Sequence, residues 1–330
     1  MLVVDGNSLL HRSFHALATS ELRTSAGQPV WAIKGFWAQV GAAIERVGAG
    51  SVLVGFDSKK SLRTEAFAGY KAGRSEKAPD LIAQLESGPA HFSKAGLHVV
   101  VVDGYEADDV IASAAARNTA EGVATVIATS DRDAFSLIND EGPGVRVLRI
   151  INGGPDAWPL LTSERLRILC GVDPGEYRLF AALRGDSSDN LVGVDGIGPK
   201  TAVKLIESMR TDGVEIDSVL ADHDAGGSDL ATRIGKSAAA KFSNAESRTN
   251  LERNLQLMSQ TESLDVGPIA DALLPLPSEQ FAAEISALEL QVRPYVFTSV
   301  GATEGDNSIS IVDHQTADKV SESEPELVLF

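Results

Sequence analysis

GYEADDVIA, residues 104–112, places three carboxylates, Glu106, Asp108 and Asp109, in four positions just after the apolar run VVVV at 99–102. The run reads as a buried strand and the alanine-rich segment 110–117 behind it as a helix, so the acids sit at a strand-to-helix junction. Acidic side chains complement the positive end of a helix dipole, which accounts for one or two of the three. It does not account for Asp131 and Asp133, placed the same way after the strand-like ATVIATSD at 124–131. Acids repeated at strand ends suggest a carboxylate cage for divalent cations.

Working outward, the same pattern recurs. LVVD at 2–5 is an apolar strand ending on Asp5, and VLVGFD at 52–57 is another ending on Asp57. VVVVD at 99–103 and VRVLRI at 145–150 complete five strands, with helices expected over 7–18 and 31–47. Strands alternating with helices predict an α/β fold with a mainly parallel central sheet. Ligands bind such sheets beyond the carboxyl ends of the strands, where all these acids lie. The crossover at 58–98 is long and basic at its front, with Lys59, Lys60, Arg63, Lys71, Arg74 and Lys77 against Glu65 and Glu76. Such a run is either a solvated face or a guide for a phosphate backbone. Lys71 and Arg74, three apart, share a face if the segment is helical.

After the sheet the composition shifts. NGGPDAWP at 152–159 is a loop, Thr162 or Ser163 can cap a helix over 164–170, and another helix is expected over 176–183. RGDSSDNLVGVDGIGPKTAVKLI at 184–206 then adds Asp186 and Asp189 and a tight turn through Gly193, Gly196, Gly198 and Pro199. An ordinary turn before a helix is one explanation. Glycines that let backbone N–H groups approach an anion, with Lys200 and Lys204 on the helix that follows, favour sequence-independent phosphate binding. Residues 214–260 read as helical and polar, with a last helix near 278–290; from about 298 the chain is Ser-, Asp- and Glu-rich and is expected to be disordered. This divides the chain into an α/β core at 1–160, a helical subdomain at 161–297 and an acidic tail at 298–330.

The single cysteine, Cys170, leaves no internal disulfide and fits a reducing compartment. No apolar stretch approaches the roughly 18 residues that span a bilayer, and no signal peptide precedes the first strand, so a cytoplasmic, nucleoid-associated location is expected, with no membrane partner. The strand begins so abruptly at Met1 that a short upstream extension is also expected. The net charge of −17 argues against a nucleic-acid partner until its distribution is considered. Setting aside −6 in the last thirty residues and nine cage acids leaves about −2 for the remainder, so local basic patches can bind DNA. The six histidines lack metal-binding spacing, His11 and His15 reading as packing or surface residues. G-x-G-x-x-G, Walker A, and serine or cysteine nucleophile signatures are absent.

Taken together, the motifs resemble the 5′ nuclease family, which includes flap endonucleases and the 5′–3′ exonuclease domain of bacterial DNA polymerase I. DGNSLLHRSFHA, FDSKKSLRTEAFAGYKAGR, GYEADDVIA, TSDRDAFSL and RGDSSDNLVGVDGIGPKTA carry the resemblance in the family's order over about residues 1–295. It implies a PIN-like core, a helical arch within 58–98 and a helix–three-turn–helix element at 184–206. By the resemblance Asp5, Asp57, Glu106 and Asp108 hold a first Mg2+ or Mn2+, and Asp131, Asp133, Asp186 and Asp189 a second, many through water. Asp109 is shared or outer, and a third ion can join. Lys71 and Arg74 steer the scissile phosphate. Arg12, Arg63 and Tyr70 contact DNA, as do Gly196, Ile197, Gly198, Lys200, Thr201 and Lys204, where a potassium ion is also implied. The expected activity is two-metal-ion hydrolysis of DNA at 5′ flaps and 5′ ends, in replication (Okazaki primer removal) and repair. The alternatives are a ribonuclease acting on RNA primers or hybrids, and a non-catalytic structure-specific DNA-binding protein. The arch segment is one residue short between Asp57 and Arg63. No polymerase domain follows in this sequence, so a stand-alone, monomeric nuclease is expected. The tip Glu326, Leu327, Val328, Leu329 and Phe330 resembles a sliding-clamp peptide whose leading Gln is replaced by Glu326.

Overall fold

Apolar strands at the expected positions assemble into one six-stranded sheet. In the computed structural model, which describes residues 1–74 and 76–299, the strands are β1 (Leu2–Asp5), β2 (Val52–Phe56), β3 (His98–Val101), β4 (Thr125–Thr129), β5 (Val145–Arg149) and β6 (Leu160–Leu161). Their order is β3-β2-β1-β4-β5-β6. All neighbours are parallel except β6, which runs antiparallel to β5. β6 was not expected; two residues after a proline-containing loop are too short to show a period. It carries the sheet one residue past the anticipated core limit at 160. The acidic tail beyond 299 and its tip at 326–330 lie outside the described residues.

The helices connecting and following these strands are α1 (Gly6–Ala16), α2 (Trp31–Val47), α3 (Leu62–Ala66), α4 (Pro79–Lys94), α5 (Ala107–Ala120), α6 (Ser163–Cys170), α7 (Pro174–Arg184) and α8 (Pro199–Asp212). Then come α9 (Ile216–Asp224), α10 (Asp229–Ile234), α11 (Lys236–Ala239), α12 (Ala245–Leu257), α13 (Ser278–Ala287) and α14 (Tyr295–Thr298). No described helix is long and apolar enough to cross a membrane.

Register explains the continuous apolar runs. Val3 pairs with Leu53 and Ile127, and these three face one core together with Val147. Leu2, Val4, Val52, Val54, Val126 and Leu148 face the other. A parallel sheet covered on both sides needs apolar residues at every position. On the second face Phe36 and Phe92 stack at 3.9 Å, with Trp37 edge-on to Phe92 and Phe281. Each such buried ring contributes about 1.5–3 kcal/mol. On the first face α5, α7 and α8 pack through Ile111, Phe180 and Leu205, in a core that continues to Leu251 and Val266. Helices after residue 161 therefore complete the sheet's own core alongside α5.

Two close approaches fix the sheet's carboxyl edge. A Cβ on Gly6 would lie 2.3 Å from the Phe56 ring, so only glycine lets α1 start directly behind Asp5 against β2. The Asp5 carboxylate accepts the Ser8 N–H at 2.9 Å, capping that helix.

Candidate metal centre and nucleic-acid interface

β1 and β4 are neighbours whose following connections leave in opposite senses, so a crevice opens beyond their carboxyl ends. Asp5, Asp57, Asp108 and Asp131 line a cavity of about 560 Å3 there, and Asp108, Asp133, Asp186 and Asp189 line a smaller pocket beside it. Each carboxylate is held by its own element. Thr129 donates to Asp5 at 2.7 Å, and Ala107 N–H and the Asn7 amide donate to the two oxygens of Asp57 at 2.8 and 3.0 Å. Asp131 Oδ1 accepts the Asp133 N–H at 3.1 Å.

Desolvation, compounded by mutual repulsion, raises the Asp5 pKa from 3.8 to about 7. The same causes push Asp57, Asp108, Asp131 and Asp133 above the ordinary carboxylate range. Crowded acids that resist ionisation are a site short of positive charge, and hard oxygen donors of this kind fit a divalent cation such as Mg2+ or Mn2+. Among the described residues no three acids converge closely enough to hold one ion directly as they stand; the donors ring the cavity at longer range.

Opposite the acids lies the basic loop that follows α3. The expected helical arch is not helical at its business end: residues 69–74 are turns, and Lys71 has a left-handed φ of 59°. Lys71 Nζ reaches Glu106 at 2.9 Å, and Arg74 pairs with Asp189 at 2.5 Å. Arg63 lies beneath them, bonding both oxygens of Asp109 at 2.9 and 2.8 Å and Glu106 at 3.1 Å. Burial would raise the Glu106 pKa, but Lys71, Arg63 and the Ser61 hydroxyl outweigh it and hold the carboxyl below its usual range.

A third feature is the hairpin before α8. Gly185 (φ 82°) and Gly193 interlock so tightly that a Cβ on Gly193 would meet the Leu183 carbonyl at 2.4 Å. Gly196 turns the chain at φ 71°, and α8 follows its N-cap Gly198 without a side-chain cap; Pro199 carries no N–H and the Thr201 N–H bonds the Gly198 carbonyl at 3.1 Å, so within the first turn the Lys200 N–H is the donor left for an anion. Lys200 and Lys204 are exposed on its first turns.

Comparison with known proteins decides the family. Residues 1–164 match the 5′-3′ exonuclease N-terminal, resolvase-like domain, and residues 172–272 match the 5′-3′ exonuclease C-terminal SAM fold. The chain belongs to the 5′-3′ exonuclease family. The chain is 35% identical over 246 residues to DNA polymerase I of Chloroflexus aurantiacus, covering 74% of the chain and 25% of the relative. It is 42% identical over 208 residues to the thermostable DNA polymerase I of Thermus aquaticus, covering 63% and 24%. The chain thus spans about a quarter of the length of these curated relatives. Its fold is similar to that of the bacteriophage T5 flap endonuclease solved in complex with DNA and metal ions, with a TM-score of 0.58 and 19% identity over 88% of this chain and 99% of that one.

Seven of the nine expected acids line the cavity or its neighbouring pocket; two do not. Asp109 accepts Arg63 twice, the Thr261 N–H and the Glu106 N–H, and closes a capping box on α5, so its oxygens are spent on structure. Glu106 lies outside the lining of both cavity and pocket and accepts from Ser61, Arg63, Tyr70 and Lys71. Of the expected DNA contacts, Arg63 and Tyr70 line the smaller pocket beside the acids. Arg63 bonds Asp109 and Tyr70 bonds Glu106, and the Ile197 side chain is 3% exposed in the core, leaving only its backbone for DNA. Arg12 does line the cavity, donating to Asn152 at 2.6 Å. The cavity also contains residues assigned no part in the site from sequence: His11 and His15 on one face of α1, read as packing or surface residues, and Lys77, read only as part of the basic run. The i, i+4 spacing of the histidines was the available signal, but it fits a surface face equally well. Burial beside Lys77 and Arg74 lowers His11 to about 4, so its imidazole is neutral at physiological pH.

Proposed function

We propose that this nuclease hydrolyses DNA at 5′ flaps and 5′ ends, with two divalent ions, Mg2+ or Mn2+, at the carboxyl edge of the sheet. The observation that carries the reading is a cavity with acids starved of counter-charge on one wall and the cations Lys71, Arg74 and Lys77 on the other. A phosphodiester fits between such walls, since it binds acids only through a cation and binds the basic side chains directly. Asp5, Asp57, Asp108 and Asp131 are the candidate ligands to one ion, with Asp133, Asp186 and Asp189 serving the other. Bound ions would activate water, neutralise charge and stabilise the departing 3′ oxygen. In hydrolysis water oxygen bonds to phosphorus, the P–O3′ bond breaks, and the 3′ oxygen takes up a proton.

Arg74, Lys77 and Arg12 orient the scissile strand, and Lys71 faces the phosphate once it leaves Glu106. Lys200, Thr201, Lys204 and the backbone of Gly196, Ile197 and Gly198 hold the adjoining duplex, where a potassium ion can share the turn's carbonyls. We further propose that the nuclease acts as a monomer on nucleoid DNA, in primer removal and repair. The tip at 326–330 is a candidate clamp ligand, and the helical part after residue 160 supplies the duplex grip while lending Asp186 and Asp189 to the metal site. The test is metal-dependent cleavage of a 5′-flap substrate by the wild type and Asp131→Ala. Cleavage should require Mg2+ or Mn2+ and fall at least about a hundredfold in the variant, with flap binding retained. Normal cleavage by Asp131→Ala would refute the ligand assignment.

A further inference from the structure

The basic loop and the duplex-gripping hairpin belong to different motifs, yet they are fastened together at one point. Lys71 N–H donates to the Asp189 carbonyl at 2.9 Å, and Arg74 Nε donates to the Ser188 carbonyl at 3.2 Å. Beneath these bonds Tyr70, Leu191 and Leu257 form a small apolar cluster of their own, with Phe67 and Met258 packed against it. Asn190 completes the fastening. Its side-chain amide donates to the Gly69 carbonyl at 2.8 Å, and a Cβ on Gly73 would lie 3.7 Å from the same amide. The side chain therefore sits between the two glycines that bracket Lys71.

Two backbone conformations make the arrangement informative. Lys71 has φ 59°, a left-handed conformation that is unfavourable for a non-glycine residue and persists only where neighbours over-determine it. Asn190 has φ 58° and ψ 35°, where asparagine is among the few residues tolerated. It follows the short turn of Asp186 and Asp189 and precedes β8 (Leu191–Val192), which with β7 (Gly185–Asp186) leads into the Gly193–Gly198 turn. A residue in that place can relay the hairpin's position to the loop.

We infer that Asn190 is a positioning residue for the reaction, its amide holding the 69–73 loop so that Lys71 is presented to the cavity in register with the hairpin that grips duplex. The inference rests on the nuclease reading above, and its test separates the two. Asn190→Gly keeps the left-handed backbone and removes the amide; Asn190→Asp keeps the shape and replaces the donor with an oxygen facing the Gly69 carbonyl. Both should lower the single-turnover rate on a 5′ flap about ten- to a hundredfold, the scale of a small misplacement of a reacting group, with Kd for the flap unchanged within about twofold. In a Lys71→Ala background the same change should cost no more than about twofold, because the group it positions is gone. Hydrogen–deuterium exchange should rise in residues 67–74 and not in 199–206. Wild-type rates in both variants, an equal loss in the Lys71→Ala background, or unchanged protection of 67–74 would each overturn the role. Absence of flap cleavage by the wild type would count against the nuclease reading instead, and the exchange measurement would still judge Asn190.

Discussion

Asp5→Asn should stabilise the metal-free protein at neutral pH while abolishing its chemistry. Asp5 is 4% exposed and its pKa is raised from 3.8 to about 7, first by desolvation and then by Asp131 and Asp57. At about 1.4 kcal/mol per unit, that shift corresponds to roughly 4 kcal/mol of folding free energy lost when the group must ionise. Because its neighbours relax when one proton is taken up, about half of that is a realistic net figure. Asparagine can still cap α1 by accepting Ser8 N–H. Against it, the Thr129 hydroxyl must turn round, a cost of about 1 kcal/mol. The net gain is then about 1–2 kcal/mol, or about 2–8 °C for a body of this size. The sign follows from proton counting. A raised native pKa means that the folded state binds more protons than the unfolded state between about pH 4 and 7, so wild-type stability falls as pH rises through that window. In EDTA, Asp5→Asn should therefore melt no higher than the wild type near pH 4, where the Thr129 cost stands alone, and should melt higher by pH 8. With Mg2+ the wild type should gain stability that the variant does not. A variant that melts lower at pH 8 without metal, or an equal difference at both pH values, would refute the electrostatic reasoning.

Arg63→Met removes the partner of two buried acids and should cost about 3–5 kcal/mol in chemical denaturation, with duplex affinity unchanged in the fraction that folds; a selective loss of DNA affinity would restore the DNA-contact role. Lys200→Ala and Lys204→Ala should each reduce the slope of log Kd against log salt by about 0.9 in a fluorescence titration with duplex DNA, without base preference; an unchanged slope would remove them from the interface. Gly6→Ala drives a methyl into the Phe56 ring, 2.3 Å from its nearest atom, and should destabilise by about 1–3 kcal/mol or more in thermal melts.

Much of this molecule is legible in local pattern. The runs ending on Asp5, Asp57 and Asp131 carry their own evidence for buried parallel strands, since a strand covered on both faces cannot afford polar residues. Once the strands are placed, chain direction alone sends their terminal acids to one edge. The turn through Gly196 and Gly198 announces itself because backbone demands are met by glycine within a few residues.

What local pattern does not contain is how charges are paired across the fold. Three acids in GYEADDVIA look alike, yet Asp108 faces the cavity, Asp109 is consumed by Arg63 and the α5 cap, and Glu106 holds Lys71 and Tyr70. Arg63 lies 43 residues from Glu106 and 194 from the Leu257 carbonyl it also bonds. Likewise the left-handed Lys71 is held by Asp189 and Asn190, more than a hundred residues away. Composition made these residues available for ions or DNA; only packing decided which were committed to each other. A buried charge is governed by the nearest opposite charge and hydrogen-bond donors, and those distances exist only after the chain has folded.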